Sequence, residues 1–197
     1  MNLALFDFDG TITTREMFRP FIEFAVSPRR RALGGAVLAP MVAGYKLGWV
    51  SPNLMRSSAV CAGFRGVSEA QVFERGAAFA REVLPGVLRD EALERIAWHK
   101  AQGDRVVVVS GALDVYLSHW CRTHDLELLC SRLESRDGVL TGRYRGKQCV
   151  NAEKARRVRA VYDLSAYPVV YAYGDTPEDR DLLRVAHRRY FQWQEVT

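Results

Sequence analysis

Asp7 and Asp9 stand two positions apart, directly after an apolar run and directly before Gly10 and Thr11. If the backbone turns there, both carboxylates can face one bound phosphate. One can attack phosphorus while the other protonates the leaving oxygen and later activates water. Gly10 permits such a turn without steric strain. A bare Asp-x-Asp is more often a loop with two solvated side chains, but that reading leaves the apolar approach and the Gly-Thr exit unexplained. Three further groups suit the same chemistry. Ser110-Gly111 offers a hydroxyl and free backbone N–H groups to an anion at a strand-to-helix junction. Lys154, in Asn151-Ala152-Glu153-Lys154, falls in the first turn of a basic helix, where its charge can neutralise phosphate oxygens. Asp175 and Asp179 follow Gly174 and suit a hard cation such as Mg²⁺, which takes one or two carboxylates plus phosphate oxygen and water. Taken singly, each group has a plainer explanation: a serine helix cap, a surface lysine, helix capping by Asp or Thr.

The elements that must position these groups are legible in the pattern. Residues 3–7 are an apolar run closed by a carboxylate, residues 106–109 are four valines, and residues 169–173 are a third such run. Each gives way to small and polar residues and then to a helical pattern, which implies βα units and a parallel sheet. Ligands of such sheets sit outside the carboxyl ends of the strands, so the three clusters converge on one crevice. Residues 14–84 break the rhythm and read as helices alone. Ser27-Pro28 and Ser51-Pro52 place a capping hydroxyl before a first-turn proline, and Ser68 with Gln71 matches a capping box. Pro85-Gly86 marks the return to the α/β pattern. Asp137-Gly138, between β-prone flanks at residues 133–144, signals a hairpin.

With 197 residues, 48% hydrophobic and 26% charged, the chain suits one α/β domain carrying a smaller insertion. Cys61, Cys121, Cys130 and Cys149 form no CxxC pair, the pattern of reduced thiols in a cytoplasmic protein rather than a disulfide framework. The N-terminal run ends in aspartates and lacks the basic start and long apolar core of a secretory signal. A net charge of +5 suits an anionic partner without choosing among phosphate esters, membrane surfaces and nucleic acid.

In order along the chain, Asp7-Phe8-Asp9-Gly10-Thr11, Ser110-Gly111, Lys154, and Gly174-Asp175 with Asp179 resemble the signature of the haloacid dehalogenase-like (HAD) superfamily. The resemblance spans essentially the whole chain. It implies a Rossmann-like three-layer α/β core at residues 1–14 and 85–197, with a parallel sheet, and a helical cap at residues 15–84 inserted after the first strand. By the same resemblance Asp7 is the nucleophile and Asp9 the general acid and base. The Asp7 and Asp175 carboxylates and the Asp9 backbone carbonyl hold Mg²⁺, and Asp179 supports the metal and its water. Thr11, Ser110, Gly111 and Lys154 bind the phosphoryl group. The second aspartate implies a phosphatase rather than a dehalogenase.

A helical cap in this place resembles the subfamily that contains phosphoserine phosphatase. Glu16 matches that enzyme's substrate-binding glutamate by spacing, and Arg56 is a looser counterpart of its carboxylate-binding arginine; a first-turn helix acid and a surface residue are the plainer readings. The cap also holds something a phosphoserine enzyme does not need. Arg29-Arg30-Arg31 opens a stretch whose residues 32–45 carry no charge, followed by Lys46 and Trp49. Three arginines oppose a helix dipole where they stand. The run is short for a membrane span and is interrupted by Pro40 and glycines; it suits either a cap core or peripheral contact with an anionic membrane. The chain is also similar to C-type phosphatidylglycerophosphatases, through Glu16-Met17-Phe18, the apolar cap segment, Glu153-Lys154 and His187-Arg188-Arg189-Tyr190. That similarity implies a lipid phosphate substrate and action at the inner face of the membrane. A non-catalytic phosphate-binding protein on this fold would have lost a catalytic position, yet Asp7, Asp9, Lys154 and Asp175 are all present. No nucleic acid is expected, because the arginines do not gather on one groove-reading helix. Trp49, Phe64 and Trp120 are candidates for a pocket wall, though large aromatics are more often core.

Overall fold

Every side chain of β1 (Leu3–Phe6) is buried, as an uninterrupted apolar run requires of a strand covered on both faces. In the computed structural model, which describes residues 1–196, β1 is followed by four helices. These are α1 (Phe18–Ala25), α2 (Pro28–Lys46), α3 (Pro52–Phe64) and α4 (Glu69–Glu82), closed by a 3-10 turn at Leu84–Val87. Then come α5 (Asp90–Ala101), β2 (Arg105–Leu113), α6 (Asp114–Thr123) and β3 (Glu127–Ser131). A hairpin of β4 (Leu133–Arg136) and β5 (Val139–Tyr144) precedes α7 (Ala152–Val161) and β6 (Val170–Gly174). The chain continues through α8 (Arg180–Arg184), β7 (Arg188–Phe191) and β8 (Gln194–Val196).

Six strands form one sheet in the order β3-β2-β1-β6-β7-β8, parallel throughout except for the β7–β8 pair. From β1 the chain builds outward to β2 and β3, then crosses to β6 on the other side. The boundary between β1 and β6 is therefore the switch point, where a ligand crevice belongs. Alternation sorts the strand side chains into two layers. Ala4, Phe6, Val108 and Tyr173 pack with Ile96 of α5 and Trp120 of α6; Leu3, Leu5, Val109 and Ala172 pack with Val158 of α7 and Leu182 of α8. This is the helix–sheet–helix arrangement that the βα pattern implies.

The helices between β1 and β2 are held unequally. Phe21, Phe64 and Phe79, from α1, α3 and α4, gather around Tyr116 of α6; the Phe21 and Phe79 rings lie 4.8 and 5.2 Å from it, centroid to centroid. A Cβ on Gly76 would stand 1.8 Å from the Val115 carbonyl, so α4 crosses α6 at a contact only glycine allows. By contrast, Gly44 is the one buried residue of α2. The run at residues 32–45 is thus not the core of the cap. Its Gly34 and Gly44 approach α3 and the turn before it, Leu38 and Met41 between them are half-buried, and the other residues are exposed. No helix among the described residues is long and apolar enough to cross a membrane.

Local expectations fare unevenly. Ser51 caps α3 through its side chain, 3.3 Å from the Leu54 N–H. Ser27 precedes α2 without a side-chain cap bond, and the Ser68–Gln71 capping box does not form. The reason at Ser68 is tertiary: the Glu69 N–H donates to the Gly138 carbonyl of the hairpin turn, which does the cap's work from outside the helix. Asp137 and Gly138 both have positive φ, as a two-residue hairpin turn demands. All four cysteines are free.

Candidate active site

Asp7 extends β1 by one residue, its N–H donating to the Tyr173 carbonyl of β6 at 2.9 Å. Phe8 turns into the core against Trp120, which sends Asp7 and Asp9 toward the crevice. The loop then folds back, and the Phe8 carbonyl accepts from the Ile12 and Thr13 N–H groups. Gly10 completes the turn at φ 82°; a Cβ there would lie 2.1 Å from an Asp175 oxygen, so glycine is needed for conformation and for space. Arg89 clamps the loop, its Nε donating to the Gly10 and Thr13 carbonyls at 3.1 and 3.2 Å.

Ser110 and Gly111 reach the same place differently from the expected strand-to-helix junction. β2 continues through them to Leu113, with its pairing to β3 shifted between Ser110 and Leu113. Because β1 stops opposite Val108, the irregular stretch overhangs the crevice. The buried Ser110 Oγ accepts from the Ala112 N–H at 3.1 Å, which leaves its own proton for a ligand.

Lys154 lies in the first turn of α7 and is buried, with Nζ 2.5 Å from Asp7 Oδ1 and 2.6 Å from Asp179 Oδ1. The rest of α7's N-terminus is pinned by its arginines. Arg156 and Arg157 both grip Glu153, whose pKa falls to about 2 mainly through the Arg156 hydrogen bonds. Arg157 also reaches the Cys130 and Lys147 carbonyls. The basic face beside the lysine is thereby spent on positioning the helix.

Asp179 is fully buried and acts as a hub: its Oδ2 accepts from the Asp175 and Thr176 N–H groups and the Thr176 hydroxyl at 3.1–3.2 Å. The loop after β6 therefore is capped by Asp and Thr, and the same carboxylate also meets Lys154. The Thr11 hydroxyl donates to Asp175 Oδ1 at 3.1 Å, so it orients a carboxylate rather than standing free for a phosphoryl oxygen. Asp7, Asp175 and Asp179 bring oxygens within 4.8 Å of one another. Three carboxylates against one ammonium leave negative charge in a buried place, and all-oxygen donors suit a hard cation. Burial raises the Asp7 pKa against the pull of Lys154, with Asp179 adding repulsion. Burial and then Asp179 raise Asp175. Asp9 is pushed up to about 7 by burial and by Glu16, while its Oδ1 accepts the Met17 N–H at 3.0 Å. A carboxyl so placed holds a proton near neutrality and has one oxygen facing the crevice.

Residues 4–184 match the model of the haloacid dehalogenase-like hydrolase family. The chain belongs to this family. Protein CicA of Caulobacter vibrioides is 30% identical over 192 residues, covering 96% of this chain and 85% of its own length. Among solved structures, a protein of unknown function from Bordetella pertussis Tohama I superposes with a TM-score of 0.81 at 22% identity, over 96% of this chain and 88% of its own. A substrate-bound phosphoserine phosphatase complex superposes with a TM-score of 0.66 at 19% identity, over 96% and 85%. At these identities the superpositions establish the HAD fold.

In this HAD crevice of about 570 Å³ the two candidate specificity residues meet. Arg56 Nη2 bonds Glu16 Oε1 at 3.0 Å, and Nη1 lies 3.5 Å from Glu178 on the opposite wall. Nη1 is buried without a hydrogen-bond partner, as are Tyr144 Oη and Gln148 Oε1. Sequence reasoning missed Glu178 as a partner of Arg56 and missed Arg89 altogether, and it placed Tyr45 only at the far end of the apolar run, as part of a membrane-facing surface. None carries a local signal; each is brought in by an element distant in sequence. Of the aromatics considered for the wall, Phe64 and Trp120 are core and Trp49 is 82% exposed; Tyr45 lines the crevice instead.

Proposed function

We propose that the protein is a Mg²⁺-dependent phosphomonoester hydrolase working through an aspartyl-phosphate on Asp7, with residues 1–14 and 85–197 as catalytic core and 15–84 as cap. The observation that carries this reading is Asp7 buried at the switch point, 2.5 Å from Lys154, with Asp9 two residues on. An Asp7 oxygen attacks phosphorus and the ester P–O bond breaks. The Asp9 carboxyl gives its proton to the leaving oxygen. Asp9, now ionised, takes a proton from water, whose oxygen attacks phosphorus; the acyl P–O bond breaks and Asp7 is restored with release of inorganic phosphate. Lys154, the Ser110 hydroxyl and the Gly111 N–H hold the phosphoryl oxygens, and Thr11 serves through Asp175. Asp7, Asp175 and the Asp9 backbone carbonyl would hold Mg²⁺, with Asp179 in support; the ion offsets the repulsion between the aspartate and a phosphate dianion.

For the substrate, a lipid phosphate such as phosphatidylglycerophosphate is the leading reading. Tyr45, from the end of the exposed apolar helix, lies on the crevice wall and supports it. The second reading is a small soluble ester such as phosphoserine. The Arg56–Glu16 pair favours it, as do the phosphoserine phosphatases among the structural neighbours. Phosphate release with Mg²⁺ and with EDTA, from phosphatidylglycerophosphate micelles and from phosphoserine, separates the two. Preference for the lipid makes the cap a lipid-docking element. Preference for phosphoserine puts Glu16 and Arg56 at the centre. Activity that survives EDTA would sink the metal-dependent route.

A further inference from the structure

Residues 24–68 contain no aspartate or glutamate and six basic residues: Arg29, Arg30, Arg31, Lys46, Arg56 and Arg65. Within this stretch α2 shows solvent an apolar surface. Leu33 and Val37, one turn apart, are 71% and 77% exposed, and Leu47 and Trp49 beyond its C-terminus are 62% and 82% exposed. A surface helix of a soluble domain turns a polar face to water, but residues 32–45 carry no charge on any face. Arg30 is occupied with the Ala62 and Arg65 carbonyls; Arg31 donates through Nη1 to the Glu23 carbonyl but stays exposed, and Arg29, Arg31 and Lys46 make no ion pair among the described residues.

We propose that α2 and the turn through Trp49 form a docking surface for an anionic lipid bilayer. The helix lies in the headgroup plane, with Leu33, Val37, Leu47 and Trp49 entering the acyl boundary and Arg29, Arg31 and Lys46 meeting lipid phosphates. Charge selects this occupant over a second copy of the chain, because a symmetric contact would set two basic, acid-free surfaces against each other. The aliphatic face gives nucleic acid nothing to recognise. Pro40 and the shortness of the uncharged run, residues 32–45, keep it at the surface rather than across the bilayer. Since Tyr45 and Pro52 line the crevice that holds Asp7, docking brings the crevice mouth to the lipid surface. Binding itself does not depend on the phosphatase reading; only delivery of a lipid substrate does.

Co-sedimentation of the full chain with phosphatidylcholine vesicles, with and without phosphatidylglycerol, tests this. The expected result is binding to the anionic vesicles that weakens with salt. L33S/V37S should lower partitioning by about tenfold or more, and R29E/R31E by about fivefold per arginine. Both variants should hydrolyse p-nitrophenyl phosphate as the parent does, which shows that they fold, and Asp7→Asn should bind vesicles normally. Absence of binding to anionic vesicles, or undiminished binding by L33S/V37S, overturns the proposal. So does a dimer that L33S/V37S dissociates, which would make a second copy the occupant. Vesicle binding without lipid-phosphate hydrolysis would instead remove only the substrate reading.

Discussion

The crevice and α2 invert the usual distribution of side chains in opposite senses. At the end of β1 the protein buries Asp7, Lys154 and Asp179, groups that water would otherwise solvate. On α2 it exposes Leu33 and Val37, groups that a core would otherwise hide. Buried charge and exposed apolar surface are the two departures that carry information, because ordinary folding explains neither. The first is sustained by pairing: Lys154 answers two carboxylates and the Thr176 and Asp175 amides answer the rest of Asp179. Nothing within the described residues covers the second, which is the surface that the proposed bilayer docking would bury.

The largest expected effect tests the buried side. Asp7→Asn should lower phosphate release by about 10⁴-fold or more while inorganic phosphate still binds; wild-type turnover would end the aspartyl-phosphate route. Lys154→Met leaves two buried carboxylates without their cation. It should cost about 3–5 kcal/mol in urea unfolding without metal, and an unchanged midpoint would mean the crevice charges are solvated after all. Phe79→Ala in α4 should cost about 3 kcal/mol or more, because Phe79 belongs to the cluster around Tyr116. Next comes a pH effect. Burial lowers the His99 pKa in spite of its Asp104 partner, so the folded protein keeps this ring neutral. The unfolded chain takes up the proton near the ordinary value, so this contribution is full above about pH 6.5 and is lost as pH falls below it. His99→Gln should flatten the fall in urea midpoint between about pH 7 and pH 5; an unaltered slope refutes the assignment. The smallest effect is on α2, where L33S/V37S should change stability by no more than about 0.5 kcal/mol per site. A loss as large as that of Phe79→Ala would show α2 to be core and erase the contrast.

Much of the site was readable because it is made of residues at strand ends. Asp7, Ser110, Lys154 and Asp175 each sit where an apolar run stops or a helix starts, and such boundaries are local properties of sequence. Glu178 and Arg89 were unreadable because their partners, Arg56 and the Gly10 loop, lie far off in the chain. The pattern at Ser110–Gly111 predicts a strand end, but β2 runs on because β3 continues to pair beside it. Four residues starting at Ser68 predict a capping box, yet the Glu69 N–H is satisfied by a hairpin some seventy positions away.

By itself the sequence determined the parallel α/β core, the helical insertion and the four clusters that meet at the crevice, since alternation, turn residues and strand-end carboxylates act over a few residues each. Tertiary structure alone decided whether an apolar helix becomes core or surface. Composition alone would bury the uncharged residues 32–45 of α2 sooner than α4, which carries Glu69, Glu74, Arg75, Arg81 and Glu82. α4 buries Val72, Gly76 and Phe79 because Gly76 lets it lie against the Val115 backbone, while α2 touches the molecule along a stripe of small and half-buried residues and leaves its other faces open. Hydrophobicity drives burial only where the packed shape offers a surface to be buried against.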